Sequence, residues 1–252
     1  MADILTEMVQ FPSDTFTIKA FLARPASASG RLPAPPLLRS AKQSVRGQAG
    51  LPAVLVIQEW WGLNDHIKEI AGRFAQEGYV ALAPDLYSRL GYKVTKDPNE
   101  AAGLMNALSS QAALRDLNAT TQCLKRHPQA DPLRIGVVGF CMGGTFALMM
   151  ATHNSDLKAA VSFYGKVPPL ETLESLVCPV LYHYAGQDGW VTQQEPDRLR
   201  QAMSQYGKRG EVVTYPSCQH AFFNDTRPEV YSTQDAAEAW RRTLQFFAIH
   251  LR

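Results

Sequence analysis

The chain has 252 residues, 46% of them apolar and 10% aromatic, enough to build one large α/β core. Its 25 basic and 23 acidic side chains leave a formal charge of +2, and no run of like charge marks a nucleic-acid or membrane partner. The start MADILTEMVQF carries acids where a secretory leader has bases, no stretch approaches the roughly 18 apolar residues of a membrane span, and the cysteines form no C-x-x-C pair. The expectation is a cytoplasmic protein with reduced thiols, a monomer or small homo-oligomer.

In chain order, Phe16, Ile18 and Ala20 alternate in a strand that runs towards Arg24. Residues 26–50 are rich in Ala, Ser, Pro, Gly and Arg, and read as a mobile surface insertion. From residue 51 strands and helices alternate. AVLVIQ (53–58) is a continuous apolar run, as in a strand covered on both faces. Asn64 or Asp65 can cap the next helix, which buries Ile67, Ile70, Ala71 and Phe74. YVALAP (79–84) is a strand, and residues 99–126 read as helix with Leu104, Leu108, Leu117 and Leu124 inward.

RIGVVGF (134–140), KAAVSFYG (158–165), PVLYHYAG (179–186) and EVVTYP (211–216) supply further strands. A last helix starts near Ser232, where Ser232 and Asp235 have capping-box spacing, and lays Ala236, Trp240, Leu244, Phe247 and Leu251 on the sheet. This alternation implies a mostly parallel twisted sheet with helices on both faces, in one domain over residues 1–252.

Gly139-Phe140-Cys141-Met142-Gly143 lies between a strand and a helix and has the G-x-nucleophile-x-G form of a nucleophile elbow, with Cys in the central place. Glycines permit the close approach of strand and helix. The turn sets Cys141 at a helix N-terminus, which favours thiolate, and aims the Met142 N–H at a developing oxyanion. Asp188 follows the strand 179–186 and His220 follows 211–216, at 47 and 79 positions beyond Cys141. That order suits a triad in which Asp188 orients His220 and His220 moves protons. His66, His127, His153, His183 and His250 have no such loop position and read as structural, with His183 nearest the site.

These residues resemble the dienelactone hydrolase family of α/β-hydrolases. The resemblance rests on QEWWGLNDHIKEIAGRFAQEGYVALAPDLYSR (58–89), GVVGFCMGG (136–144), AGQDGWV (185–191) and HAFFND (220–225). It implies an α/β-hydrolase fold and cleavage of a small ester or lactone through an acyl-enzyme on Cys141. It also implies that Glu59 contacts the resting thiol and takes its proton when substrate enters, and that Trp60 offers the second oxyanion N–H. Arg89 matches an arginine that binds the substrate carboxylate. A second family arginine, four positions past the histidine, is replaced here by Asn224, and the 26–50 segment has no family counterpart.

Trp60, Trp61, Phe222 and Phe223 flank the expected site and suggest a partly apolar pocket, with Trp61 and Phe222 as substrate contacts. The alternatives are a broader carboxylesterase or thioesterase that needs no substrate carboxylate, a non-catalytic scaffold of the same fold, and a redox pair of Cys141 with Cys218. No metal or cofactor is expected, since no His, Cys or carboxylate cluster has ligand spacing and the glycines at 139–144 do not form G-x-G-x-x-G. The expected partner is a small-molecule ester or lactone.

Overall fold

The computed structural model describes residues 3–26 and 50–251. The expected insertion at 26–50 lies, apart from its two end residues, outside the described residues. Eight strands, β1 (Ile4–Ser13), β2 (Phe16–Pro25), β3 (Leu51–Ile57), β4 (Val80–Pro84), β5 (Ala130–Phe140), β6 (Leu157–Phe163), β7 (Val180–Ala185) and β8 (Gly210–Tyr215), form one sheet. Their order is β1-β2-β4-β3-β5-β6-β7-β8. The β1–β2 hairpin and the β2–β4 pairing are antiparallel, and β4 through β8 are parallel. This is the mostly parallel, α/β-hydrolase-like sheet expected from the alternation of elements.

Among the described residues, the α-helices that accompany it are α1 (Asp65–Gln76), α2 (Pro98–Ala107), α3 (Ser110–Arg126), α4 (Met142–His153), α5 (Leu170–Leu173), α6 (Gln194–Gln205) and α7 (Thr233–His250). The central strands β3 to β7 are buried along most of their length because helices cover both faces, which is why they read as unbroken apolar runs. Asn64 is the cap of α1, its side chain accepting from the Ile67 N–H at 3.1 Å, and Ile67, Ile70, Ala71 and Phe74 are all buried.

Three local expectations change. β1 is an additional strand, an edge whose residues are mostly exposed or half-buried, so its sequence lacks the apolar run of the interior strands. The helix expected over 99–126 is two helices. Leu108 has extended backbone, and the Ser109 side chain caps α3 by accepting from the Ala112 N–H. Ser232 stands at the N-cap of α7 but caps no backbone N–H. Its hydroxyl donates to the Asp235 carboxylate at 2.6 Å, which also accepts from the Cys218 thiol at 3.1 Å.

The chain runs from β3 outward to β4 on one side and returns to β5 on the other, so the strand order reverses beside β3. A doubly wound sheet opens its ligand crevice at the carboxyl ends of the strands at such a point. Glu59 and Trp60 follow β3, and Cys141 follows β5.

His183, in the middle of β7, is structural, as expected. It is fully buried, with Nδ1 at 3.0 Å from the Tyr215 hydroxyl and Nε2 at 3.1 Å from the Thr243 hydroxyl. Burial pulls its pKa down to about 3, and burial likewise pulls His127 down to about 4. The unfolded chain binds these protons near the usual histidine range, about 6.5, whereas the fold refuses them. Their contribution to stability is therefore present above that range and lost as pH falls towards 3 to 4. Urea midpoints are expected to drop steadily from pH 7 to pH 4, with a shallower slope in His127→Gln; an identical slope in that variant would remove His127 from the account.

Candidate active site

The site is built on loops at the carboxyl ends of β3, β5, β6, β7 and β8. The turn after β5 is the tightest of them. A Cβ on Gly139 would land on the Gly143 carbonyl, and one on Gly143 would land on the carbonyls of Ile57 and Gln58. These contacts let α4 start directly against the end of β3 and β5. Cys141 sits between them at φ 54 and ψ −117. A non-glycine residue in so sparsely populated a region costs of order 1–3 kcal/mol. Two backbone bonds hold it there, Cys141 N–H to Phe163 O at 3.0 Å and Thr145 N–H to Cys141 O at 3.2 Å.

The Cys141 side chain is buried. The N–H groups of Met142 and Trp60 both reach its sulfur, each favouring the charged form, but burial and the neighbouring Glu59 carboxylate outweigh them. The thiol pKa is pushed up, so the resting group is a neutral thiol. The helix-terminus argument from sequence pointed the other way; it omitted the desolvation of the sulfur and the carboxylate beside it.

Glu59 is itself buried and held by two neutral donors, the Asn224 amide to Oε2 at 2.7 Å and the Tyr164 hydroxyl to Oε1 at 3.5 Å. Asn224, the position at which the family arginine is missing, thus contacts the glutamate. Its own oxygen accepts from the Thr226 N–H and hydroxyl at 3.1 and 2.6 Å, which fixes the amide's orientation.

Asp188 and His220 are brought together, Oδ2 to Nδ1, at 2.7 Å. The other carboxylate oxygen of Asp188 accepts from the Trp190 and Val191 N–H groups, both at 2.8 Å. The Gln187 N–H donates to Cys218 O at 2.8 Å, so the two loops are also tied through backbone. His220 Nε2 is buried and has no hydrogen-bond partner among the described residues. The imidazole lies between two rings, Tyr164 at 5.0 Å and Trp190 at 5.2 Å, both edge-on.

Two residues that sequence reasoning passed over complete the arrangement. Tyr164, at a positive φ of 41 after β6, touches Glu59 with its hydroxyl and His220 with its ring. Tyr87 donates to Trp60 O at 2.9 Å and lies 3.8 Å from the Met142 sulfur, bracing the two residues whose N–H groups reach Cys141. Tyr87 stands in the quoted segment DLYSR, two positions before Arg89; strand-end position and residue type were the available signal.

Of the three expected substrate contacts, Arg89 and Phe222 are engaged within the fold and Trp61 is half-buried. The Arg89 guanidinium forms two bonds with Asp116, at 2.8 and 2.9 Å, and a third with Ser13 O at 3.2 Å. No bond or ring contact links it to Cys141, Asp188, His220 or Glu59; it fastens α3 to the β1–β2 hairpin. Phe222 is fully buried between Tyr164 and Tyr215, so it is core and has no surface for a substrate. Trp61 is half-buried against Trp60, and the Arg227 guanidinium lies 5.8 Å above its ring. Cys218 donates to Asp235 rather than approaching Cys141.

The profile of the Dienelactone hydrolase family matches residues 41–251. The chain belongs to the dienelactone hydrolase family. A Salmonella typhi protein named "Putative carboxymethylenebutenolidase" is 34% identical over 96% of this chain and 86% of its own length. A Synechocystis protein of the same name is 32% identical over 99% of both chains. Among solved structures, "Putative Dienelactone Hydrolase" of Klebsiella pneumoniae superposes with a TM-score of 0.83 at 31% identity, covering 98% of this chain and 99% of that one. The chain is therefore a dienelactone-hydrolase-like hydrolase. Among the described residues no helix is long and apolar enough to cross a membrane, and no group of three or more His, Cys, Asp or Glu side chains is arranged to hold a metal ion.

Two outcomes follow from these contacts. Carbamidomethylation of Cys141 by iodoacetamide at pH 7.5 is expected to be slower than that of free cysteine, and faster in Glu59→Gln, because that change removes the negative neighbour. A slower rate in Glu59→Gln would contradict the electrostatics. Asp116→Ala is expected to lower unfolding stability by about 2–3 kcal/mol in urea. That is less than the roughly 3–5 kcal/mol for a fully buried pair, because Arg89 is partly exposed.

Proposed function

We propose that this member of the family hydrolyses small carboxylic esters or lactones through a covalent thioester on Cys141, with His220 and Asp188 completing the triad. The supporting observation is the pair of backbone N–H groups, Met142 and Trp60, converging on a sulfur at the elbow. The same two donors would hold the oxyanion that forms when that sulfur attacks a carbonyl carbon.

In this reading the thiol proton passes to Glu59 as substrate enters, and the thiolate attacks the carbonyl. The oxyanion collapses, the C–O bond breaks, and the leaving oxygen takes the proton that Glu59 holds. His220 Nε2, unpartnered at rest, then removes a proton from water, and the hydroxide attacks the thioester. When the second intermediate collapses, the departing sulfur recovers its proton from the imidazolium, which Asp188 has stabilised. Water is consumed, acid and alcohol are released, and both Glu59 and His220 end as they began.

Keeping the thiol neutral until substrate arrives protects it from oxidation and alkylation. The two neutral donors on Glu59 suit this role, since a fixed cation there would hold the carboxylate charged and oppose its protonation.

Neither arginine position associated with carboxylate binding in the family offers a free cation here. Arg89 is paired with Asp116, and Asn224 replaces the other. That observation speaks against recognition of a substrate carboxylate through these two positions.

Cys141→Ala and His220→Ala are each expected to lower kcat on p-nitrophenyl butyrate by at least 10³-fold, and wild type should show an acyl adduct on Cys141 by mass spectrometry after rapid acid quench. Asp188→Asn should lose about 10²–10⁴-fold, through the wrong tautomer of the imidazole. Turnover surviving in Cys141→Ala would remove the proposal.

A further inference from the structure

Beside the nucleophile lies a second feature that the triad does not use. A cleft of about 180 Å³ runs between α2 and the first turns of α4, walled by Met105, Leu108, Met142, Phe146, Met149 and Trp190. It is small, near the liquid volume of about six waters at about 30 Å³ each, so it suits a short chain rather than a polycyclic ligand. Methionines dominate its wall, which makes it adaptable in shape. Two of its walls belong to the reaction centre. Met142 contributes an N–H to the Cys141 sulfur, and Trp190 packs edge-on against His220.

Among the described residues that line the cleft, Lys166 carries the only charge. Its backbone N–H is anchored on the Thr145 hydroxyl at 2.9 Å, and its ammonium lies 4.8 Å from the Trp190 ring centre. The acid that meets this loop is already engaged: Glu195 accepts from the Val167 N–H at 2.8 Å and pairs with Arg198 at 3.1 Å. No carboxylate among the described residues forms an ion pair with Lys166. An exposed ammonium over an aromatic face, at the edge of an apolar slot, is a ready receptor for an anion carried on an apolar chain.

We infer that this cleft receives the acyl chain of the substrate and that Lys166 recognises a carboxylate at its far end. The inference rests on the proposed thioester chemistry, because Met142, which follows Cys141, and Trp190, which packs against His220, both line the cleft. It assigns the anion to a cation on the β6–α5 loop, distinct from the two arginine positions discussed above. Arg227, over Trp61, is the competing cation, but Glu229 already holds it at 2.9 Å.

The test compares mono-p-nitrophenyl adipate with p-nitrophenyl hexanoate, equal in chain length and differing in the terminal charge. Wild type is expected to prefer the adipate ester in kcat/KM, with the preference shrinking as salt rises from 20 to 500 mM. The adipate-to-hexanoate ratio should fall about tenfold in Lys166→Met, mainly through KM, and invert in Lys166→Glu. A ratio unchanged in both variants overturns the assignment, as does a ratio that collapses in Arg227→Ala but not in Lys166→Met. If wild type turns over neither ester, the hydrolase reading itself fails and takes this one with it. Turnover of both esters with a ratio that Lys166 does not set removes this inference alone.

Discussion

The structure around the site depends on how closely α4 can approach the ends of β3 and β5. Gly139 and Gly143 have no Cβ at the points where backbone meets backbone, and the strand therefore passes into the helix without a loop. The cost falls on Cys141, which is held at a positive φ between them. In return the sulfur stands at the point where N–H groups from two different strand ends converge. A longer connection would relax the cysteine backbone and separate it from Trp60. The strain at Cys141 and the approach of the two N–H groups are consequences of the same close packing.

That packing also sets the electrostatics. A thiol at a helix N-terminus in water would ionise more readily. Here the sulfur is buried and faces a carboxylate, and both effects favour the proton. The neighbours of the carboxylate matter equally. Glu59 is held by an amide and a phenol rather than by a bonded guanidinium. Asp188, by contrast, receives two backbone N–H bonds and an imidazole. The two buried carboxylates thus have different sets of partners.

Much of this could be read from sequence wherever a residue's role is set by its immediate neighbours in the chain. The interior strands betrayed themselves as apolar runs because both faces are covered, and the elbow showed because glycine spacing is a local steric demand. The order Cys141, Asp188, His220 followed from the strands that precede each residue. What escaped depends on partners distant in sequence. β1 looks polar because it is an edge. Ser232 and Asp235 have the spacing of a cap, yet Cys218 shares the same carboxylate, and the hydroxyl bonds the side chain in preference to backbone. Phe222 stands two positions from His220, but the loop turns at Ala221, where φ is 66, and sends the ring into the core.

Arg89 shows most clearly how a motif can persist while its contacts change. Its position after β4 puts it near the crevice in sequence, and Tyr87, two residues earlier, does reach Trp60 and Met142. The chain then passes through a single helical turn, Ser88–Leu90, which carries the next side chain towards α3. There a buried aspartate, itself accepting from the Ser13 hydroxyl at 2.6 Å, offers one oxygen to each of two guanidinium nitrogens. A bidentate, partly desolvated pair of that kind is a stronger attraction than a substrate carboxylate that is present only transiently and must leave as product. Asp116 is 27 positions from Arg89 and lies on a helix whose start could not be separated from α2 by periodicity alone, so nothing local to DLYSR reveals it. A cation already satisfied within the fold in this way has little left to give a ligand.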